Sequence, residues 1–318
     1  MVTNSPTISA KPTAPILVTG AHRTGTTWIG KMLTASGQAA YISEPLNILH
    51  RPGVLSAPTR YWYTYLCAEN EAEYLPGLRQ TLQFRYHSLA ELRSLRSFKD
   101  VGRMGRDWRI FLSGRVFHKR PLLKDPFAIF SAPWFFKRLG CQVVITVRHP
   151  GAFASSLKRL DWPFDLHDLL NQPLLMRDWL EPFRPEMEEM AKKPEDVIGQ
   201  SCLLWRMVYQ IVEQFKQESP HFQVVRHEDL SLQPVDGYRA LYAALGLSFT
   251  PRAEQVILSS SSSENPIELS RRAVHSVRLD SQANLNNWKR RLSPEEIDRV
   301  RQLTEEVAVR YYPDLDWA

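Results

Sequence analysis

Along the chain, short apolar runs alternate with longer stretches in which apolar residues recur every three or four positions. Ile16-Leu17-Val18 is a run of the first kind and reads as a buried strand. Trp28, Ile29, Met32 and Leu33 follow at helical spacing, which predicts a helix over Thr26–Ser36 stopped by Gly37. Ala40–Ser43, Leu122–Lys124, Gln142–Val147 and Gln223–Arg226 read as further strands. Helices are predicted at Phe127–Leu139, Gly151–Leu160, Val197–Gln217, Pro234–Leu245 and Pro294–Tyr311, the last with Ser293 and Glu296 spaced as a capping box. Such alternation predicts an α/β fold: a parallel central sheet flanked by helices, with the ligand beyond the carboxyl ends of the strands. Loops 20–27, 44–46, 124–126, 148–150 and 226–229 are therefore expected on one rim.

The pattern breaks up from Leu46 to about Arg120, where only Ser88–Arg96 reads as a helix and Arg60–Cys67 forms an aromatic cluster. That region is expected to be a substrate-specific insertion. The polar, proline-punctuated stretch 161–195 is expected to be a flap. Residues 1–14 read as a flexible lead and 15–318 as a single domain, with no internal repeat.

Composition changes the picture little. With 43% apolar and 23% charged residues among 318, the chain has enough apolar material for a core. A net charge of +6 favours anionic ligands without identifying them. Nucleic acid is not expected, because zinc spacing, an RNA-binding aromatic signature and a lysine-rich tail are all missing. Cys67, Cys141 and Cys202 lie far apart in apolar surroundings and read as reduced core thiols of a cytoplasmic protein. The lead reads as neither signal peptide nor anchor, and no run approaches the roughly eighteen apolar residues of a membrane span.

The chemistry concentrates after the first strand, in Gly20-Ala21-His22-Arg23-Thr24-Gly25-Thr26-Thr27-Trp28. Two glycines let consecutive N–H groups turn into one concavity at a helix N-terminus, an arrangement that binds phosphate. The spacing Gly20 to Gly25 is that of a nucleoside-triphosphate loop, but Thr26 stands where the lysine belongs and Arg23 sits earlier. The loop therefore suits a phosphate-bearing ligand other than a magnesium–nucleoside triphosphate, and Trp28 offers a face for a purine. A plain structural glycine turn is the alternative. Arg148, delivered by a strand, and Ser156, two turns into the following helix, make a second place for a terminal phosphate. Glu44, closing the second strand, stands on the same rim, where a carboxylate can take a proton from an acceptor hydroxyl.

Arg23-Thr24-Gly25-Thr26-Thr27-Trp28 after a strand resembles the 5′-phosphosulfate loop of sulfotransferases that use 3′-phosphoadenosine 5′-phosphosulfate (PAPS). Many soluble members carry Lys where this chain has Arg23, and Arg is more usual in the carbohydrate and tyrosyl-protein branches. Arg148 and Ser156 fit the spacing of the family's 3′-phosphate element. Glu44-Pro45 is similar to the catalytic-base position of those branches. Lys124-Asp125-Pro126 is similar to the Lys-Thr-His element of cytosolic members, with Pro126 in place of the histidine base. The resemblance thus implies Glu44 as base, Lys124 on the transferred group and Asp125 as second-choice base. It implies PAPS as co-substrate, no metal, and a cofactor site built from His22, Arg23, Thr24, Gly25, Thr26, Thr27, Trp28, Arg148 and Ser156. From the C-terminal stretch Arg271–Arg291, where soluble members carry Arg-Lys-Gly and Gly-Asp-Trp, only Trp288 is kept, with Arg278 and Lys289 as candidate phosphate contacts.

His149 and His227, like the His22 ring, read as polar loop residues, and Arg226–Leu230 resembles a structural Tyr-Glu-Asp-Leu segment. Tyr61, Trp62, Tyr63 and Tyr65 read as packing or as a platform for a sugar or aromatic ring. Arg103, Arg106, Arg109, Arg115, Lys119 and Arg120 suit an anionic acceptor or a solvated face. The expected function is sulfuryl transfer to a hydroxyl on a carbohydrate or other small-molecule alcohol, with no membrane span and the oligomeric state left open. A kinase-like phosphotransferase and a catalytically idle nucleotide-binding module are the alternatives.

Overall fold

A computed structural model of the protein describes residues 13–49, 51–268, 278–313 and 317. The expected lead over 1–14 lies outside these residues but for its last two. Five parallel strands form one sheet in the order β2-β3-β1-β4-β5: β1 (Ile16–Gly20), β2 (Ala39–Ser43), β3 (Arg120–Lys124), β4 (Gln142–Val147) and β5 (Gln223–Arg226). β1 is fully buried at the centre, with Leu17 opposite Leu123 on one side and Val143 on the other. The chain leaves β3 on one side of β1 and re-enters as β4 on the other, so the topological switch falls at the end of β1. All five expected rim loops follow the carboxyl ends of these strands.

Period-two alternation divides the sheet residues between two cores. Leu17, Ile42, Leu123, Val143 and Ile145 join the larger core. Ile16, Val18, Leu122 and Val144 join the smaller core on the opposite face. The helices are α1 (Thr26–Leu33), α2 (Glu71–Leu82), α3 (Ser88–Ser94), α4 (Phe98–Val116), α5 (Ala132–Leu139), α6 (Pro150–Leu160), α7 (His167–Leu170), α8 (Pro173–Leu175), α9 (Arg184–Ala191), α10 (Val197–Glu218), α11 (His227–Leu232), α12 (Pro234–Ala244), α13 (Pro251–Ser261), α14 (Asn287–Arg291) and α15 (Pro294–Ala308). α10 carries Trp205, Tyr209 and Phe215 into the larger core, while α1, α12 and α13 close the smaller one. The Asp196 carboxylate caps α10 by accepting from Gly199 N, and Ser293 with Glu296 completes the expected capping box of α15.

Several boundaries differ from the sequence expectation. The stretch 46–120 is not irregular, for it holds α2, α3 and α4. Pro76 and Gly77 inside α2, and three glycines with an outward apolar stripe in α4, disguised their periods. α13 was hidden by its serine-rich end. The helix expected over Phe127–Leu139 is a 3₁₀ turn at Pro126–Ser131 followed by α5, because Pro133 sets a new start. The stretch 161–195 consists of short helical turns that bury Leu169, Leu175, Met176, Leu180 and Met187 in the larger core. Arg120 is no part of a basic face. It is buried at the opposite end of the sheet, donating to Ala14 O, Leu245 O and Gln142 Oε1. Among the described residues no helix is long and apolar enough to cross a membrane.

Candidate active site

The loop between β1 and α1 is fixed from below before any ligand is considered. Thr24 is buried, and its hydroxyl donates to Ala21 O at 2.6 Å while lying 2.6 Å from the Thr146 hydroxyl of β4. The Tyr63 hydroxyl accepts from His22 N at 3.1 Å and lies 2.7 Å from His22 Nδ1, a second hydrogen bond whose direction the ring tautomer sets. The His22 ring is packed among Phe127, Phe153 and Phe164. Desolvation, with the charge of Arg23 added, pulls its pKa down to about 4. Thr24 and the His22 ring therefore brace the loop from within. Neither side chain lines the cleft as a ligand contact, and the His22 ring is packed rather than set as a polar loop residue.

Two side chains on the rim sit on left-handed backbone, Arg23 at φ 69° and Glu44 at φ 48°. Such conformations are uncommon outside glycine and persist only where the surroundings over-determine them. Gly25, at φ 93°, lies so close to His227 that a Cβ would stand 2.4 Å from its Cδ2. Gly25→Ala is therefore expected to cost at least about 1–2 kcal/mol of backbone strain, and to displace the loop. A lower melting temperature with weakened nucleotide binding by calorimetry would be the observed result.

Beyond this loop the rim encloses a cleft lined by Arg23, Trp28, Arg148, Ser156, Arg159, His227, Ser231, Ser260, Leu279, Ser281, Asn284 and Arg291. Arg148 Nη1 donates to Arg23 O at 3.2 Å, and Arg23 Nε donates to Ser156 Oγ at 3.1 Å. The expected pair of anion sites therefore shares one wall. Burial, together with the charges of Arg148 and Arg159, lowers the Arg23 pKa to about 10, so the guanidinium remains charged at neutral pH. Burial also lowers the pKa of Arg148, whose Nε is buried without a hydrogen-bond partner. Crowded guanidinium groups, one with an unsatisfied N–H, suit an anion carrying more than one charge. Trp28 is held by its Nε1 donating to Ser260 Oγ at 3.0 Å and by edge contact with Tyr238. Thr26 is buried and the Thr27 hydroxyl hydrogen-bonds Tyr41, so neither side chain lines the cleft.

The third wall differs from expectation. Residues 271–277 of the stretch Arg271–Arg291 lie outside the described residues. Arg278 is exposed, and Arg291 lines the cleft in place of Arg278 and Lys289. Trp288 is a core residue, 4% exposed, stacked on His149 at 4.7 Å, because Gly151 lets α6 approach it. Lys289 sits over that indole. Arg159 had a legible signal, since it lies three residues after Ser156 and so on the same face of α6. Arg291, Ser260 and Asn284 had none, being brought in by the fold alone. His149 and His227 are also not solvated loop residues. The His149 ring accepts from Gly151 N and caps α6, while burial and Arg148 drive the His227 pKa down to about 3.

Beside the loop, Glu44 and Lys124 form an ion pair, with Lys124 2% exposed and Glu44 23%. Asn47 Nδ2 donates to Glu44 Oε2 at 2.7 Å, and Glu44 N donates to Lys124 O at 2.7 Å. Burial opposes the charge of Lys124, but Tyr41 and Glu44 outweigh it and raise its pKa. Lys124 ends β3, the neighbour of β1, so the ion pair stands on the same rim as the loop that follows β1. Asp125 is fully enclosed and accepts from Leu46 N at 2.6 Å and Phe127 N at 3.0 Å. One oxygen thus holds the backbone two residues after Glu44 and the other caps the turn at Pro126–Ser131, so both are engaged and Asp125 does not stand as the second-choice base.

Burial raises the Asp125 pKa from 3.8 to about 7. The native state therefore holds a proton that the unfolded chain has released, and stability from this group falls as pH rises from about 4 to about 7. His22 and His227, with lowered pKa values, act with the opposite sign as pH rises to 6.5, from about 4 for His22 and about 3 for His227. Asp125→Asn is expected to remove the falling contribution, so that its denaturation midpoint climbs more steeply between pH 4 and 7 than that of the parent.

The aromatic run divides in two. Tyr63 is fully buried against Phe127, Phe130 and Phe164, and Tyr65 donates to Asp178 Oδ2 at 2.9 Å, so both are packing. Trp62 lies against Phe127 at 4.4 Å. None of the basic residues of 100–120 lines the cleft.

A family model described as the sulfotransferase family matches residues 15–251. Among solved structures, the chain is similar to the sulfotransferase domain of the curacin biosynthetic pathway, with 16% identity, 91% of this chain and 96% of that one covered, and a TM-score of 0.44. It is also similar to the sulfotransferase domain of the Synechococcus PCC 7002 olefin synthase (15%, 95% and 96%, 0.46) and to a mouse sulfotransferase complexed with PAP (14%, 96% and 86%, 0.45). No curated protein matches the chain.

Proposed function

Because the chain belongs to the sulfotransferase family, we propose that it moves a sulfuryl group from PAPS to a hydroxyl of a carbohydrate or other small alcohol. The observation that carries the donor assignment is the joining of Arg23 and Arg148 in one cleft, through the hydrogen bond from Arg148 Nη1 to Arg23 O. The donor, when bound, supplies the sulfuryl group on a 5′-phosphate leaving group. Arg23 and the N–H groups from Gly25 onward would hold that phosphate and stabilise the charge growing on it. Arg148 and Ser156, with Arg159 and Arg291, would take the 3′-phosphate, and Trp28 would flank the purine. The buried Nε of Arg148 and the crowding of like charges support a bisphosphate there.

Glu44 is the proposed base. It stands beside the loop on strained backbone, one oxygen paired with Lys124 and the other held by Asn47, so its position is fixed before an acceptor arrives. Lys124 would also steady the group in transit. Residues 15–318 are taken as one catalytic domain, with 46–120 supplying acceptor selectivity and 161–195 covering the site.

The kinase-like reading needs a lysine at position 26, and Thr26 is buried there. Calorimetry with adenosine 3′,5′-bisphosphate and with ATP tests the donor assignment, with binding of the bisphosphate alone expected. Labelled PAPS offered with panels of sugars and small alcohols tests transfer. Equal binding of ATP would overturn the donor, and nucleotide binding with no acceptor ever sulfated would leave an idle module.

A further inference from the structure

The helix α4 has two apolar sides, and only one of them is used. Asp107, Phe111 and Gly114 are buried where the helix packs beside the edge strand β2. Phe98, Val101, Trp108, Leu112 and Val116 are all exposed, from 44% for Leu112 to 97% for Phe98. At 100° per residue these five fall within an arc of about 80°. Phe117, at the helix end and 70% exposed, lies off this arc. A helix of 19 residues is about 28 Å long, so the stripe is a continuous ridge. Isolated apolar residues on a surface need no explanation, but an aligned ridge does.

Charge selects what covers it. From 88 to 119 the chain carries eight lysine and arginine residues against three acidic ones. Two of the acids are withdrawn from the surface: Glu91 is buried, accepting from Gly53 N, and Asp107 is paired with Arg51. Lys99, Arg106, Arg109 and Arg115 are exposed on the same helix. A second copy of the chain would bring two basic ridges together, at a repulsive cost. An anionic surface would neutralise them while accepting the aromatic side chains. Exposed Trp and Phe flanked by Lys and Arg on one amphipathic helix is the pattern of a segment that lies in the plane of a bilayer interface.

We infer that α4 docks this protein peripherally on a membrane surface rich in anionic lipid, with the ridge from Phe98 to Val116 inserted among the headgroups. The inference rests on the surface of α4 and is independent of the donor and acceptor assigned above. Flotation with vesicles of equal parts phosphatidylglycerol and phosphatidylcholine tests it, against vesicles of phosphatidylcholine alone.

The full chain is expected to float with the anionic vesicles and not with the neutral ones, and to be released as salt rises. Trp108→Ser with Leu112→Ser, and separately Lys99→Glu with Arg109→Glu, are each expected to lower partitioning at least about tenfold, a basic residue near such a surface being worth about fivefold. All four positions face solvent, and circular dichroism melts confirm that the variants fold. Equal flotation with both vesicle types, or variants that float like the parent, would overturn the proposal. So would a dimer in gel filtration that Trp108→Ser converts to monomer, since the ridge would then belong to a second copy.

Discussion

Glu44→Gln is expected to lower the rate of sulfuryl transfer by roughly 10²–10⁴-fold, the usual worth of a positioned general base. The amide keeps the shape of the carboxylate and its oxygen can still accept from Lys124, while its NH2 group meets the Asn47 Nδ2 donor and loses that bond. The backbone bond from Glu44 N to Lys124 O is untouched, so the loop should hold. What it loses is the capacity to take a proton from the acceptor. It also strands the buried Lys124 charge without its counterion, and stability should fall. Glu44→Gln combined with Lys124→Met removes that stranded charge and is expected to recover stability but not turnover. Single-turnover rates beside thermal melts separate the two effects. A double variant that regains activity along with stability would show that Glu44 acts through the ion pair rather than as the base.

Arg148→Ala carries the largest expected loss in nucleotide binding. Charge-assisted hydrogen bonds are worth about 1.5–3 kcal/mol, so the dissociation constant for adenosine 3′,5′-bisphosphate should rise roughly ten- to 150-fold. The substitution also removes the contact with Arg23 O and the positive charge facing the buried Glu228. Burial already raises the Glu228 pKa, and losing Arg148 should raise it further. Arg148→Lys keeps the charge but loses the fork, and is expected to fall between the parent and the alanine variant. Calorimetry reads both, with ATP as the comparison ligand. Unchanged bisphosphate affinity in Arg148→Ala would remove the phosphate assignment of this wall.

These two residues were visible without the structure for the same reason. Each follows directly on a short buried strand, and in a parallel sheet every strand end reaches the same rim. The parallel sheet, the loop from Gly20 to Trp28, Arg148 with Ser156, and Glu44 at a strand end could all be read from local pattern, whereas the pairing of Glu44 with Lys124 follows from the adjacency of β2 and β3. Arg159 was readable as well, from its spacing to Ser156 along α6.

Other features could not be read this way. Trp288 looks like a ligand-facing residue in sequence, yet it lies beneath α6 because Gly151 leaves room for the indole. Arg120 belongs to a basic run, yet strand β3 carries it to the far end of the sheet and buries it. Thr24 and His22 sit in the first loop but turn inward to Thr146 and Tyr63, partners 122 and 41 residues away in the chain.

By itself the sequence determined the alternation of strands and helices along the chain, and with it the parallel sheet and the rim on which the first loop, Glu44 and Arg148 stand. Hydrophobic period and glycine spacing are local properties, fixed within a few residues. Only the tertiary structure decided which side chains face the cleft, that Arg291 rather than Arg278 closes its third wall, and that α4 keeps an uncovered apolar ridge. Those outcomes depend on which elements pack together, and burial between elements distant in sequence leaves no mark in the spacing of either one.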